Sequence, residues 1–298
     1  MRHDRRRRGC DVRFRSRVVA TAAAAMILLA LPVQAQDGSS SVSFEGVGFT
    51  FDRVLGTGVN ITQVRGRPSN NQGLDVPDAG HIAFVIHARR SESAKALRAF
   101  DAPGVVRVYR VADLASYADA SQRATQLKTL LTDRPDLSTY MTVTGDGSVQ
   151  ELPYMPVFPA AQAIQARAQY IDTPQLAGVA FLTAFRQDVS PFAAADFWYT
   201  FQGLSTDGTW YVSVSWVVDA TMFPARISAK EANHQANRWV KYISESISTL
   251  NAAAPAAFTP PLTSIDALVR SITFAGVPAS EPSPLPSLVP SPAASPPA

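Results

Sequence analysis

Phe197-Trp-Tyr-Thr-Phe-Gln-Gly-Leu-Ser-Thr-Asp-Gly-Thr-Trp-Tyr-Val-Ser-Val-Ser-Trp-Val217 is the stretch from which the fold can be read. Two runs of alternating residues flank Asp207-Gly208, a pair that favours a two-residue type I′ turn because both central positions need positive φ. Such a turn pairs Thr206 with Thr209. It sets Phe201 opposite Val214 and Tyr199 opposite Trp216. Phe197, Tyr199, Phe201, Val212, Val214 and Trp216 then share one fully apolar face. A slip of one residue would put Phe201 beside Ser213, so the pattern selects its own register. The other face is mixed: Trp198, Thr200, Gln202, Leu204, Tyr211, Ser213 and Ser215. It reads either as a binding platform, with Trp198, Tyr211 and Gln202 as candidate ligand contacts, or as a half-buried surface covered by a helix.

Outward from the hairpin, Val105–Val111 alternates like a strand with one wet face, and His81–Ala88 reads as a buried strand. Nearer the N-terminus, Phe44, Val47, Phe49 and Phe51 open a strand-like run. Thr57–Val64 is a second run, with Gly56 and Gly58 at the turn between them. Helical spacing runs from Ala112 to Thr132, where Leu114, Tyr117, Ala120, Ala124, Leu127 and Leu131 recur on one face and Asp113 stands as the N-cap. A second helix is expected over Ser228–Asn251, with Ala232, Ala236, Trp239, Ile243 and Ile247 inward. A short third, Leu262–Ser271, leads to a last strand at Ile272–Phe274. The expected class is α+β: a mainly antiparallel sheet packed by two long amphipathic helices, in a single domain over 36–277. A small N-terminal β unit over 36–66 is the variant organisation.

The ends have a different character. Residues 1–17 carry eight Arg, the apolar run Val18–Leu31 follows, and Val33-Gln34-Ala35 places small side chains before Gln36. That is the pattern of a secretory signal peptide over 1–35, cleaved between Ala35 and Gln36. The apolar run falls short of the roughly 20 residues a spanning helix needs. The expected location is therefore secreted or in the cell envelope, with no membrane span after cleavage. Pro278–Ala298 is Pro, Ser and Ala with a few Leu and Val, a composition that cannot bury a core and is expected to form a disordered or semi-rigid tail.

The leader distorts the averages. The chain has 27 Lys+Arg and 24 Asp+Glu; residues 1–35 hold eight Arg and two Asp, leaving 19 basic and 22 acidic residues and a formal net charge of −3. A basic pI that departs with the leader is no sign of nucleic-acid binding, which needs clustered cations on the domain itself. Cys10, the only cysteine, leaves as well, so the mature chain has no thiol for a disulfide, a metal or a nucleophile.

No catalytic or metal residues and no cofactor are nominated. His81 and His87 lie ~20 Å apart at about 3.3 Å per strand residue, too far to share a metal. His234 has no partner one helical turn on. No His-Glu-x-x-His, nucleophile elbow or phosphate loop is present. Asp146-Gly147 and Asp207-Gly208 have turn chemistry and lack the alternating ligands of a calcium loop. Asn60-Ile61-Thr62 matches a glycosylation sequon and is read as a chance match.

Phe197–Val212 resembles a group of uncharacterised exported bacterial proteins that share a Tyr-x-Phe-Gln-Gly-Leu-x-x-Asp-Gly-x-x-Tyr-Val core. Leu152–Pro156, Ala160-Ala161-Gln162, Ala177–Thr183 and Val108–Val111 add to the likeness, which covers roughly residues 81–227. It implies a strand–helix–hairpin region and export, and assigns no activity. Ala180 and Ala193–Ala195 stand where the group is more polar. Two functions are expected from these features: a non-catalytic binding or envelope-structural protein whose partner is an unknown ligand or envelope component, or an extracytoplasmic hydrolase with a carboxylate- or Ser-based site. A pocket with convergent Asp, Glu, His or Ser groups would separate them.

Overall fold

The structure, a computed structural model, describes residues 35–36, 38–68, 77–87 and 104–279. The expected leader, except Ala35, and the tail beyond Ala279 lie outside the described residues. The strands are β1 (Ala35–Gln36), β2 (Ser39–Phe44), β3 (Val47–Asp52), β4 (Gly58–Val64), β5 (His81–His87), β6 (Gly104–Arg110), β7 (Ala161–Asp172), β8 (Leu176–Arg186), β9 (Phe197–Ser205), β10 (Trp210–Ala220), β11 (Phe258–Thr259) and β12 (Thr273–Phe274). The helices are α1 (Ala118–Asp133), α2 (Ala229–Ala236), α3 (Trp239–Ala252) and α4 (Leu262–Arg270). The class is mixed α+β, mainly antiparallel sheet.

The large sheet runs β4-β5-β6-β10-β9-β8-β7, with β11 paired to the far end of β10. The β9–β10 hairpin lies at its centre in the register its residues select, Phe201 opposite Val214 and Tyr199 opposite Trp216. The turn differs from expectation. Only Gly208 has positive φ (72°), and its N–H donates to Ser205 O at 2.8 Å. Asp207 instead accepts from the Ser205 hydroxyl, the Thr209 N–H and the Thr209 hydroxyl. These side-chain bonds stabilise a longer loop over Thr206–Thr209, as Asp does in Asx turns. The turn with two positive φ values is Glu45-Gly46 (48° and 81°), which folds the run from Phe44 to Phe51 back on itself as the β2–β3 hairpin.

The small sheet has the order β1-β2-β3-β12. The expected 36–66 unit is thus divided: β4 leaves it and pairs with β5 in the large sheet. Phe49 of β3 meets Phe84 of β5 edge-on, with ring centroids 5.3 Å apart. Val47, Phe49 and Phe51 share one core with Phe201, Val214 and Trp216 and with Ile243, Ile247 and Leu250 of α3 and Ile265 and Leu268 of α4. Each such side chain stabilises the fold by roughly 1.5–3 kcal/mol when fully buried.

Glycines make room for two rings in this core, Phe201 and Trp216. Gly178 of β8 pairs with Gly203 of β9, and a Cβ on either would lie 2.4–2.5 Å from Phe201 Cζ. A Cβ on Gly104 would meet the Trp216 ring at 2.4 Å.

Both long helical spans are interrupted. Residues Val111–Ser116 form a 3₁₀ turn, and Tyr117 (φ −128°, ψ 95°) breaks the chain before α1, so Asp113 caps no α-helix. The Tyr117 hydroxyl tucks against Gly66, where a Cβ would lie 2.1 Å from it; a continuous helix would not turn the ring there. The span from Ser228 breaks at Asn237-Arg238. Asn237 Nδ2 donates to Asn233 O at 3.0 Å, and Arg238 has non-helical angles. Trp239 then packs at a tilt against Phe192 and Tyr242, and α3 turns Ile243, Ile247 and Leu250 onto the sheet. α2 buries no residue.

β6 has no wet face between Val105 and Tyr109. Even Arg107 is only 1% exposed. The strands β7 and β8 complete the sheet and carry much of the site described next.

Candidate functional site

The mixed face of the hairpin is covered. α1 lays Ala120, Ala124, Leu127 and Leu130 against Tyr109, Tyr211, Val179 and Phe181. Beside α1, the extended segment Gln150–Met155 lies across the same face.

Buried side-chain amides and hydroxyls hold that segment down. Gln202 Oε1 accepts the Met155 N–H at 3.0 Å and the Tyr211 hydroxyl at 2.7 Å. Gln202 Nε2 donates to Thr200 Oγ1 at 2.8 Å and Ser213 Oγ at 3.0 Å, and the Ser213 hydroxyl donates to Met155 O. From β7, Gln162 Nε2 donates to Leu152 O and Gln165 Nε2 to Gln150 O, each at 2.7 Å. Polar groups in a core are costly unless paired; here each of these glutamines reaches a main-chain carbonyl of the segment.

This corrects the platform reading of the hairpin. Tyr211 and Gln202 are fully buried and belong to the network. Trp198, half-buried, stands opposite Val217 and Thr183 on the same face. Tyr211 and Gln202 are therefore not on an open platform. Burial pushes the phenols of Tyr211, Tyr154 and Tyr109 up, away from ionisation. The charge of Arg107 opposes that rise at Tyr154 and Tyr109. His81 is held low by burial, against the pull of Asp78 at 3.9 Å and the Ala79 carbonyl at 2.8 Å from Nδ1.

What is open lies one layer out. Between α1 and the Pro135–Pro153 region runs a groove of about 650 Å³. One wall is the outer stripe of α1, with Ser121, Gln122, Thr125, Gln126 and Thr129; Tyr140, Gln150 and Pro153 line the other side. The floor is fixed by the glutamine network just described. Glu151, also in the lining, is engaged: its Oε2 meets Arg123 at 3.2 Å and its Oε1 accepts the Gln162 N–H at 3.3 Å.

The remaining sequence candidates resolve as turn and structural chemistry. Asp146 caps a tight turn, accepting from the Thr144 hydroxyl and from the N–H and hydroxyl of Ser148, which lowers its pKa to about 2. His81 and His87 lie at opposite ends of β5, and His234 is exposed on α2. Among the described residues no three His, Cys, Asp or Glu side chains gather into a metal-sized group.

Sequence reasoning missed the groove and the two buried glutamines of β7. Gln162 and Gln165 in an Ala- and Ile-rich strand were the available signal, because an amide in such a run must find a buried partner. No protein-family model and no curated protein matches the chain.

Proposed function

We propose that this is an exported, non-catalytic binding domain of the cell envelope, and that the groove between α1 and Gln150–Pro153 is its ligand seat. The observation that carries the reading is an open groove of about 650 Å³, within the 300–1,000 Å³ range of small-ligand sites, set on a floor rigidified by buried amides. Support for export comes from the Arg-rich leader ending at Ala35 and from the resemblance of the hairpin to exported proteins. No helix among the described residues is long and apolar enough to cross a membrane. Glu151 already has a cationic and a main-chain partner, and this favours binding over a hydrolytic role.

Two measurements test this. N-terminal sequencing of the extracytoplasmic protein should begin at Gln36; retention of the leader in the mature form would refute the export reading. Native mass measurement of protein recovered from the envelope should show a bound species that Thr125→Arg, which fills the groove, displaces. A species unaffected by Thr125→Arg would place the ligand elsewhere.

A further inference from the structure

The outer stripe of α1 is unusual for a solvent-facing helix surface. Such surfaces ordinarily carry Lys, Arg and Glu, which favour helix and stay hydrated. Here Gln122, Thr125, Gln126 and Thr129 are exposed, Ser121 is half-buried, and none is charged. Thr and Ser are weaker helix formers, and the Thr125 hydroxyl spends its proton on Ser121 O at 3.0 Å. Of the charged residues of α1, Asp119, Arg123 and Lys128 do not line the groove, and Asp133 does so only at the helix's last position. The chain has therefore placed neutral donor–acceptor side chains where helix stability alone would favour ions.

These side chains define a ligand chemistry. Each amide or hydroxyl both donates and accepts, which matches groups that also do both. Sugar hydroxyls have that property; a phosphate or carboxylate only accepts. An anion is further disfavoured because no Lys or Arg lines the groove, while Asp133 and Glu151 do. An extended peptide would need an open strand edge or apolar side-chain pockets. The lining offers no free strand edge: one wall is a helix, whose main chain is bonded internally, and in the extended segment opposite, Gln150 O and Leu152 O already accept from Gln165 and Gln162 and Pro153 has no N–H. Tyr140 adds a half-buried aromatic ring to the lining.

We infer that the groove binds a neutral saccharide chain, with Gln122, Gln126 and Gln150 bonding its hydroxyls and Tyr140 contacting a sugar ring. The inference rests on the proposal that the groove is the ligand seat.

The test is a titration of the complete secreted chain with neutral hexasaccharides of glucose, mannose and N-acetylglucosamine, and with an uncharged Ser/Thr/Gln-containing hexapeptide as the competing class. The readout is the side-chain amide NMR signals of Gln122, Gln126 and Gln150. Saturable shifts with at least one saccharide are expected, and Gln122→Ala with Gln126→Ala should weaken binding at least tenfold. Both positions are exposed, so thermal stability should be nearly unchanged, which separates lost contact from lost fold. Shifts at these amides with the peptide and with no saccharide would overturn the saccharide inference and leave the groove as the seat. No shifts with either class, together with an envelope extract that also leaves these amides unmoved, would overturn both.

Discussion

The Tyr211 hydroxyl donates to Oε1 of Gln202 at 2.7 Å, joining the two strands of the central hairpin on the face covered by α1. The same oxygen accepts the Met155 N–H. Tyr211→Phe should therefore cost only about 1 kcal/mol, the net value of one hydrogen bond, because Oε1 keeps a partner. Gln202→Leu should cost roughly 2–4 kcal/mol, since it strands the Met155 N–H and the Tyr211 hydroxyl in the core. The double variant should cost less than the sum, as expected for residues in one network. Urea unfolding of the four proteins checks all three values; strict additivity would count against a shared network.

Gly178→Ala introduces a Cβ 2.4 Å from Phe201 Cζ and 2.5 Å from Gln202 O. The second contact is main chain and cannot rotate away. The expected loss is about 1–3 kcal/mol, typical of overpacking. Gly208→Ala meets no atom within 4 Å and strains only the backbone at φ 72°, at about 1–2 kcal/mol. A companion Phe201→Leu should recover part of the loss in Gly178→Ala and none in Gly208→Ala, as read by thermal midpoints.

Arg167 tests a helix end. It stands at a bulge of β7 with φ 54°. Its Nη1 donates to Leu250 O, Asn251 O and Ala253 O, at 3.2, 3.2 and 2.6 Å, at the C-terminus of α3. Arg167→Ala loses those charge-assisted bonds and keeps the strained backbone. Arg167→Gly loses the same bonds but relieves the strain. Glycine should thus be the milder change by about 1 kcal/mol, and both should speed amide exchange over the last turn of α3.

The pH profile follows from buried phenols and a capped carboxylate. Burial is the first cause raising Tyr109, Tyr154, Tyr199 and Tyr211. A phenol whose folded pKa exceeds its unfolded value of about 10 contributes fully below that pH, and the contribution is lost as pH climbs toward the folded value. Tyrosinate absorbance should rise first from the more accessible of the eight tyrosines, and these four should ionise only as the protein unfolds. Asp146 has the opposite sign: lowered to about 2 by its turn bonds, it adds stability above an unfolded value of about 4 that disappears as pH falls toward 2. Asp146→Asn should flatten this part of the acid limb.

Much of this was legible in the sequence. The hairpin register was readable because a period of two allows only one pairing that keeps Phe201, Tyr199 and Trp216 on the same side as Val214 and Val212. The hairpin turn was misread because the Asp207 carboxylate outcompetes the backbone geometry that Asp-Gly usually favours. β8 went unassigned because a strand buried on both sides loses its alternation, and β7 because two register shifts interrupt its alternation. The helix breaks at Tyr117 and Asn237 were hidden because Gly66 and Phe192, which meet the rings of Tyr117 and Trp239, are distant in sequence.

The sequence by itself determined the α+β class, the central hairpin and the chemistry of the mixed face. Composition alone also removes the thiol and the excess positive charge from any chain that begins at Gln36. Tertiary structure alone decided which polar residues face inward. Gln202 and Tyr211 read equally well as an open platform until Gln150–Met155 is laid across them, since hydrogen-bonding capacity is a property of the side chain and exposure is a property of what packs above it. The groove likewise exists only where α1 and that segment meet, because its walls are residues that no local pattern brings together.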